Sequence, residues 1–73
     1  EKKVDIILAN IIRIVILENF SLFKSQLGND GVLLLSGLLE EDEAEIMQAA
    51  GNYGFKFINR LKRENWLCLK FEK

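Results

Sequence analysis

The most constraining feature of this 73-residue sequence is a short apolar run that ends at an asparagine. Residues 4–9 read Val-Asp-Ile-Ile-Leu-Ala, and Asn10 follows them directly. A run of β-branched residues and leucine is typical of a strand buried on both faces, as in a parallel sheet. An asparagine after such a strand lies at the carboxyl edge of the sheet, where α/β proteins place their ligands. The sequence therefore predicts a strand over residues 4–9 with a candidate polar site at its end.

The next segment predicts an amphipathic helix and a second strand. Apolar residues recur across residues 12–27 at the spacing of one helix face; they are Ile12, Ile16, Phe20, Phe23 and Leu27. Residues 28–31 (Gly-Asn-Asp-Gly) predict a turn, because glycine and asparagine tolerate positive φ. Residues 32–36 are again mainly apolar. We therefore expect a right-handed β-α-β unit with two parallel, buried strands.

The second half of the chain predicts another helix followed by a hairpin. The helix is expected over residues 40–53, with acidic residues at its start and Gly54 just past its end. Residues 55–61 and 66–71 alternate in polarity around a polar segment, as two antiparallel strands do. The predicted fold class is α/β, with the order β-α-β-α-β-β in a single domain, residues 1–73.

Composition narrows the function classes open to the chain. A net charge of -1 gives no general attraction to nucleic acid or membrane, and we expect neither as a direct partner. The chain has no histidine, which removes the usual general base and the usual metal ligand. A single cysteine allows no internal disulfide, so a reducing compartment such as the cytoplasm is the simpler assumption. No apolar run reaches the roughly 18 residues that a membrane span needs.

Three phrases of the sequence carry a family resemblance. They are residues 5–11 (Asp-Ile-Ile-Leu-Ala-Asn-Ile), residues 33–39 (Leu-Leu-Leu-Ser-Gly-Leu-Leu) and the pair Gly54-Phe55. In order and over nearly the whole chain, they resemble the ribosomal protein L11 methyltransferase (PrmA) family of class I S-adenosylmethionine-dependent methyltransferases. The resemblance implies the carboxyl-terminal half of a Rossmann-like catalytic domain. In that fold the last strand inserts antiparallel between its two predecessors, which gives the spatial order 1-2-4-3.

The same resemblance implies a cofactor and a substrate. The cofactor would be S-adenosylmethionine, without a metal, and the substrate a lysine or α-amino group of a large-subunit ribosomal protein. The family's glycine-rich cofactor loop does not occur in these residues, nor does its proline near residues 28–31. The chain thus resembles half of a catalytic domain, and we expect it to be inactive alone. A bare edge at strand 4–9 would favour self-association. A small non-catalytic α/β interaction module remains the second hypothesis.

Asn10 is the leading candidate site residue, although no residue is assigned a certain catalytic role. Its amide offers both an acceptor and donors, so it can orient an amine nucleophile. The resemblance implies that it lies at the cofactor; the alternative is that it caps the first helix. Ser36 and Gly37, at the end of the second strand, are candidate walls of a substrate channel. They could equally be a strand end that needs small residues for close packing.

Two charged segments have simpler interpretations than binding sites. The acids of residues 40–45 predict a solvated helix start in preference to a metal cluster. The basic hairpin residues favour a charged edge that discourages aggregation over an RNA-binding surface; they are Lys56, Arg60, Lys62, Arg63, Lys70 and Lys73. Cys68 alternates with its strand neighbours, so we expect it in the core, without a histidine to activate it.

Overall fold

The computed structural model describes residues 3–10 and 12–73, and these form one four-stranded sheet with two α-helices. The strands are β1 (Val4–Asn10), β2 (Leu27–Leu39), β3 (Lys56–Arg63) and β4 (Trp66–Glu72); the helices are α1 (Arg13–Gln26) and α2 (Glu43–Asn52). The strand order is β1-β2-β4-β3. β1 runs parallel to β2, and β4 runs antiparallel to both of its neighbours. The predicted element order and spatial order are confirmed.

The core lies on one face of the sheet only. Strand residues form a single buried cluster with residues of α1 and α2; on the strands they are Ala9, Leu27, Leu33, Leu35, Leu38, Leu67, Leu69 and Phe71. The prediction that β1 is buried on both faces is wrong, because Ile6 and Leu8 are 57% and 73% exposed. Both helices in the described ranges pack on the other face, so nothing there shields these two side chains.

The helix α1 buries most of the face that its spacing predicts. Ile16, Phe20 and Phe23 are buried, as is Leu27 just beyond the helix. Ile12 is instead 67% exposed. It precedes α1 as the N-cap residue in an extended conformation, so it does not follow the helical periodicity.

An aromatic cluster joins α1 to the end of α2. The ring of Phe20 lies 6.2 Å from that of Phe23 and 5.9 Å from those of Tyr53 and Phe55, measured between centroids. Phe55 in turn contacts Phe71 of β4 edge-on at 6.4 Å. Such pairs stabilise beyond their buried area. The cluster therefore fixes both helices against the centre of the sheet.

β2 is longer at both ends than the predicted strand. Val4 pairs with Leu27 and Ile6 with Val32, so residues 28–31 loop out within the strand. Their turn-like character appears as a positive φ of 63° at Asp30. At the other end, β2 continues through Ser36 and Gly37 to Leu39. The sequence pattern missed this extension because a glycine normally marks an interruption.

The helix α2 starts three residues later than predicted and ends one residue earlier. Residues Glu40–Asp42 form a short 3₁₀ turn before it. At its end Gly54 has a φ of 82°, the Gly54 N–H donates to the Gly51 carbonyl at 3.0 Å, and the Phe55 N–H donates to the Ala50 carbonyl at 3.0 Å. This is the Schellman arrangement that a glycine after a helix favours.

The hairpin β3–β4 closes one edge of the sheet through a two-residue turn. Arg63 pairs with Trp66, which leaves Glu64 and Asn65 as the turn. Cys68 lies between the buried Leu67 and Leu69 and projects to the opposite face, where it is half-buried. The prediction that Cys68 belongs to the core is therefore wrong, because the buried positions of β4 are those on either side of it. In the described part of the chain, neither helix has the length and apolar character needed to cross a membrane.

Candidate functional site

The carboxyl ends of β1 and β2 bring two of the candidate residues side by side. The parallel register pairs Ala9 with Leu35 and then Asn10 with Ser36. Asn10 is exposed and Ser36 is half-buried. Both project from the face opposite the helices, because each is one position beyond a residue of the buried face. A polar pair therefore lies at the edge where the sequence predicts a site.

Asn10 does not cap α1. It is the last residue of β1, whereas α1 begins at Arg13 with Ile12 as its N-cap. No side chain makes a capping hydrogen bond at this helix start. The capping explanation for Asn10 is therefore excluded by position, and its carboxamide is available at the sheet edge.

Gly37 lies in a β-bulge within β2. Leu35 pairs with Leu69 and Leu38 with Leu67, so β2 advances three residues while β4 advances two. Gly37 has a φ of 78°, a conformation that glycine adopts without steric cost. Bulges of this kind redirect the side chains beside them and recur near active sites. Here the bulge allows β2 to continue alongside β4 after its pairing with β1 has ended at Ser36.

The carboxamide of Asn10 packs directly against Gly37. A β-carbon built on Gly37 would approach the Asn10 Oδ1 atom to well under 3.0 Å, a separation that real side chains do not reach. The amide thus fills the space that a side chain at position 37 would need. This contact links the ends of β1 and β2 more closely than their backbone pairing alone.

A cleft of about 330 Å³ opens at this edge and includes all three candidates. It is lined by Asn10, Ser36, Gly37, Leu39 and Trp66. Sequence reasoning did not identify the last two. The strand register could have identified them, since Leu39 pairs with Trp66 just beyond the bulge. None of the five lining residues is basic, so a positively charged group in the cleft meets no like charge from its walls.

An ion-pair network beside the cleft joins the start of α1 to the 3₁₀ turn and to the first turn of α2. The Arg13 Nε atom lies 3.4 Å from Asp42 Oδ1, and its Nη1 atom lies 2.7 Å from Glu45 Oε1. The other carboxylate oxygen of Asp42 accepts the Leu39 N–H at 3.1 Å. Exposed ion pairs contribute only about 0–1 kcal/mol each. Here they connect the first residue of α1 to acidic residues that follow β2.

The acidic segment and the basic hairpin are partners within the chain. Glu43 accepts two guanidinium hydrogen bonds from Arg60, both at 2.8 Å, and Glu40 lies 3.0 Å from the Lys62 ammonium. These contacts show a charged, solvated surface in which two of the basic hairpin residues are neutralised. Within residues 3–10 and 12–73 no group of three or more acidic or cysteine side chains is arranged around a common metal position.

This α/β fold, with the sheet order β1-β2-β4-β3, is that of a methylase. The fold matches the crystal structure of a ribosomal protein L11 methylase from Lactobacillus delbrueckii subsp. bulgaricus with a TM-score of 0.92 and 27% sequence identity. The alignment covers 97% of this chain and 37% of that protein. The class is therefore established by the fold of a homologous structure.

Sequence comparison defines the family. The family model described as ribosomal protein L11 methyltransferase (PrmA) matches residues 1–73, and the chain belongs to this family. The ribosomal protein L11 methyltransferase of Porphyromonas gingivalis is 40% identical over 67 residues, and that of Carboxydothermus hydrogenoformans is 37% identical over 70 residues. These alignments cover 92% and 96% of the chain, which spans 23% of the length of either relative.

Proposed function

We propose that this chain forms one side of the methyl-transfer cleft of an S-adenosylmethionine-dependent protein N-methyltransferase. Its substrate would be a lysine or α-amino group of a large-subunit ribosomal protein, and its compartment the cytoplasm, where ribosomes are assembled. Family membership supports methyl transfer to a ribosomal protein. The observation that carries the residue-level proposal is the meeting of Asn10, Ser36 and Gly37 in one cleft.

The donor set of the cleft suits this cofactor. S-adenosylmethionine supplies a positively charged sulfonium whose methyl group is transferred to a nucleophile. The lining offers an amide and a hydroxyl, and it contains no basic side chain that would repel the sulfonium. We assign cofactor binding to Asn10, and we assign the wall of the substrate channel to Ser36 and Gly37.

Asn10 would act by orienting the incoming amine. Its amide oxygen accepts a hydrogen bond from an N–H of the neutral amine, which leaves the nitrogen lone pair free to point at the methyl group. Methyl transfer depends on in-line alignment of nucleophile and methyl group, so positioning supplies much of the rate. A chain without histidine can perform this role, because the amide neither gains nor loses a proton.

The chain alone would not complete the reaction. It spans 23% of the length of the curated relatives, and it contains no G-x-G-x-x-G segment to cradle a cofactor. A second candidate function is a non-catalytic α/β interaction module. The apolar residues exposed on the helix-free face, Ile6, Leu8 and Leu61, favour that alternative.

The test is a chimera in which this chain replaces the aligned segment of the L. delbrueckii methylase. Its binding to S-adenosylhomocysteine would be followed by NMR, and its activity by transfer of a labelled methyl group to ribosomal protein L11. We expect shifts at the backbone amides of Asn10, Ser36 and Gly37, together with methyl transfer. Cofactor binding that leaves these three amides unchanged would contradict the residue assignment. A well-folded chimera without transfer would favour the interaction module.

A further inference from the structure

We propose that Gly37 is a positioning residue. Because it has no side chain, it leaves the space that the Asn10 amide occupies at the cleft. The inference rests on the proposed function of Asn10 and deepens it. It gives Gly37 a role in addition to its place in the channel wall. Gly37 would act through Asn10 and need not touch the substrate at all.

The first argument is the space above Gly37. A β-carbon there would collide with Asn10 Oδ1 and would also lie only 3.4 Å from Asn10 Cγ. The obstructing atoms are those of the carboxamide, the polar end of an exposed side chain. Any side chain at position 37 therefore forces the amide to rotate or the two strand ends to separate. Either change moves the donor and acceptor atoms that the cleft presents.

The second argument is that backbone conformation alone does not explain this glycine. Gly54 has nearly the same φ, 82° against 78°, yet it serves only to end α2. A β-carbon on Gly54 would meet the Lys24 ammonium at 2.8 Å, which is the free end of a flexible side chain. The two glycines thus share the positive-φ requirement and differ in what the added carbon meets. Gly54 is a natural control for Gly37.

The third argument is that the two strand ends are held together, whereas the Asn10 side chain is exposed. The backbone of Asn10 pairs with that of Ser36, and Leu35 and Leu38 on the two sides of the bulge are both paired with β4. A side chain at position 37 would therefore displace the amide before it separated the two strands.

The experiment is a double-mutant cycle on the 73-residue chain, with Gly37→Ala, Gly54→Ala, Asn10→Ala and the Asn10→Ala/Gly37→Ala double variant. Stability would be measured as the urea midpoint, and the position of the amide as the side-chain NH₂ signals of Asn10. We expect Gly37→Ala to lower the midpoint about twice as much as Gly54→Ala, because it adds a collision to the same backbone strain. Only Gly37→Ala should shift the Asn10 NH₂ signals.

In the Asn10→Ala background the collision is gone, so Gly37→Ala should cost no more than Gly54→Ala does. An equal loss in both backgrounds, or unmoved Asn10 NH₂ signals, would overturn the inference. If the Gly37→Ala chain does not fold, the same four variants of the chimera, with Asn10→Ala/Gly54→Ala as a fifth, decide the question. Gly37→Ala should then lower the urea midpoint of the chimera less in the Asn10→Ala background than in the parent, with Gly54→Ala equally costly in both. The cycle needs no cofactor, so its outcome is independent of whether Asn10 binds S-adenosylmethionine.

Discussion

The two edges of the sheet both expose apolar side chains, among them Phe57, Ile58 and Leu61 on β3, but they differ in their basic residues. The β1 edge exposes Ile6 and Leu8 and includes no basic residue. The β3 edge has Arg60 and Lys62 among its eight residues, and both are paired with acids of the α2 region. Natural sheets protect their outer strands with charge, as on β3, because an apolar edge offers unpaired N–H and C=O groups to other chains.

We propose that the β3 edge is protected by its charges, whereas the β1 edge is normally paired or covered. Asn10 and half of the candidate cleft belong to that unprotected side. The proposed site therefore lies beside the edge that we expect to pair with another strand.

The largest expected effect tests whether the two edges of the sheet depend on one hydrophobic core. Phe20 is fully buried and contacts the rings of Phe23, Tyr53 and Phe55. Phe20→Ala should lower the free energy of unfolding by about 3–5 kcal/mol through lost burial and a cavity. Hydrogen exchange should then accelerate in β1 and β3 together. Ile6→Ala, on the open face, is the control and should cost far less; protection lost at one edge only would contradict a shared core.

The next effect concerns the cleft on the β1 side. In the chimera, Asn10→Ala should reduce kcat for methyl transfer about 100-fold, equivalent to about 2.7 kcal/mol of transition-state free energy. Asn59→Ala, an exposed asparagine of β3, is the matched control and should leave the rate unchanged. A steady-state assay with labelled S-adenosylmethionine measures both variants. Equal rates for Asn10→Ala and its parent would remove Asn10 from the mechanism.

The contrast between the edges also predicts self-association of the isolated chain through β1. Leu8 and Leu61 project from the same open face and are 73% and 64% exposed, but they lie on opposite edges. Leu8→Lys should weaken dimerisation about tenfold, or by about 1.4 kcal/mol, because a buried charge opposes strand pairing. Leu61→Lys should have little effect. Sedimentation across a concentration series measures both; equal weakening would point to the face of the sheet and not to its edge.

The apolar run of β1 also shows what local sequence can predict. Strand formation follows from residues 4–9, because β-branched residues favour extended structure, and parallel pairing follows from the helix predicted between the two strands. Burial on both faces did not follow, since it depends on elements elsewhere that cover Ile6 and Leu8. The residue types of this segment therefore predicted a strand, whereas only the tertiary arrangement determined which of its side chains are exposed.

The residues of the candidate cleft also fall into two groups, those that the sequence predicted and those that it did not. Asn10, Ser36 and Gly37 were found from their positions at strand ends, where the topology alone brings residues together. Leu39 and Trp66 were missed because their place in the cleft depends on the bulge at Gly37, which shifts the β2–β4 register by one residue. A glycine at a strand end indicates a turn or a bulge, and the sequence does not distinguish them.

The smallest expected effect examines the protected edge itself. Arg60 donates two hydrogen bonds to Glu43, whereas the described residues show no ion pair for Arg63 at the end of the same strand. Arg60→Ala should cost about 0.5–1 kcal/mol at low salt, and the loss should shrink as added salt screens the pair. Arg63→Ala should cost less and respond less to salt, as measured by urea unfolding at two ionic strengths. If the two variants behave alike, the β3 edge is protected by charge in general, and the specific pairing with α2 adds nothing measurable.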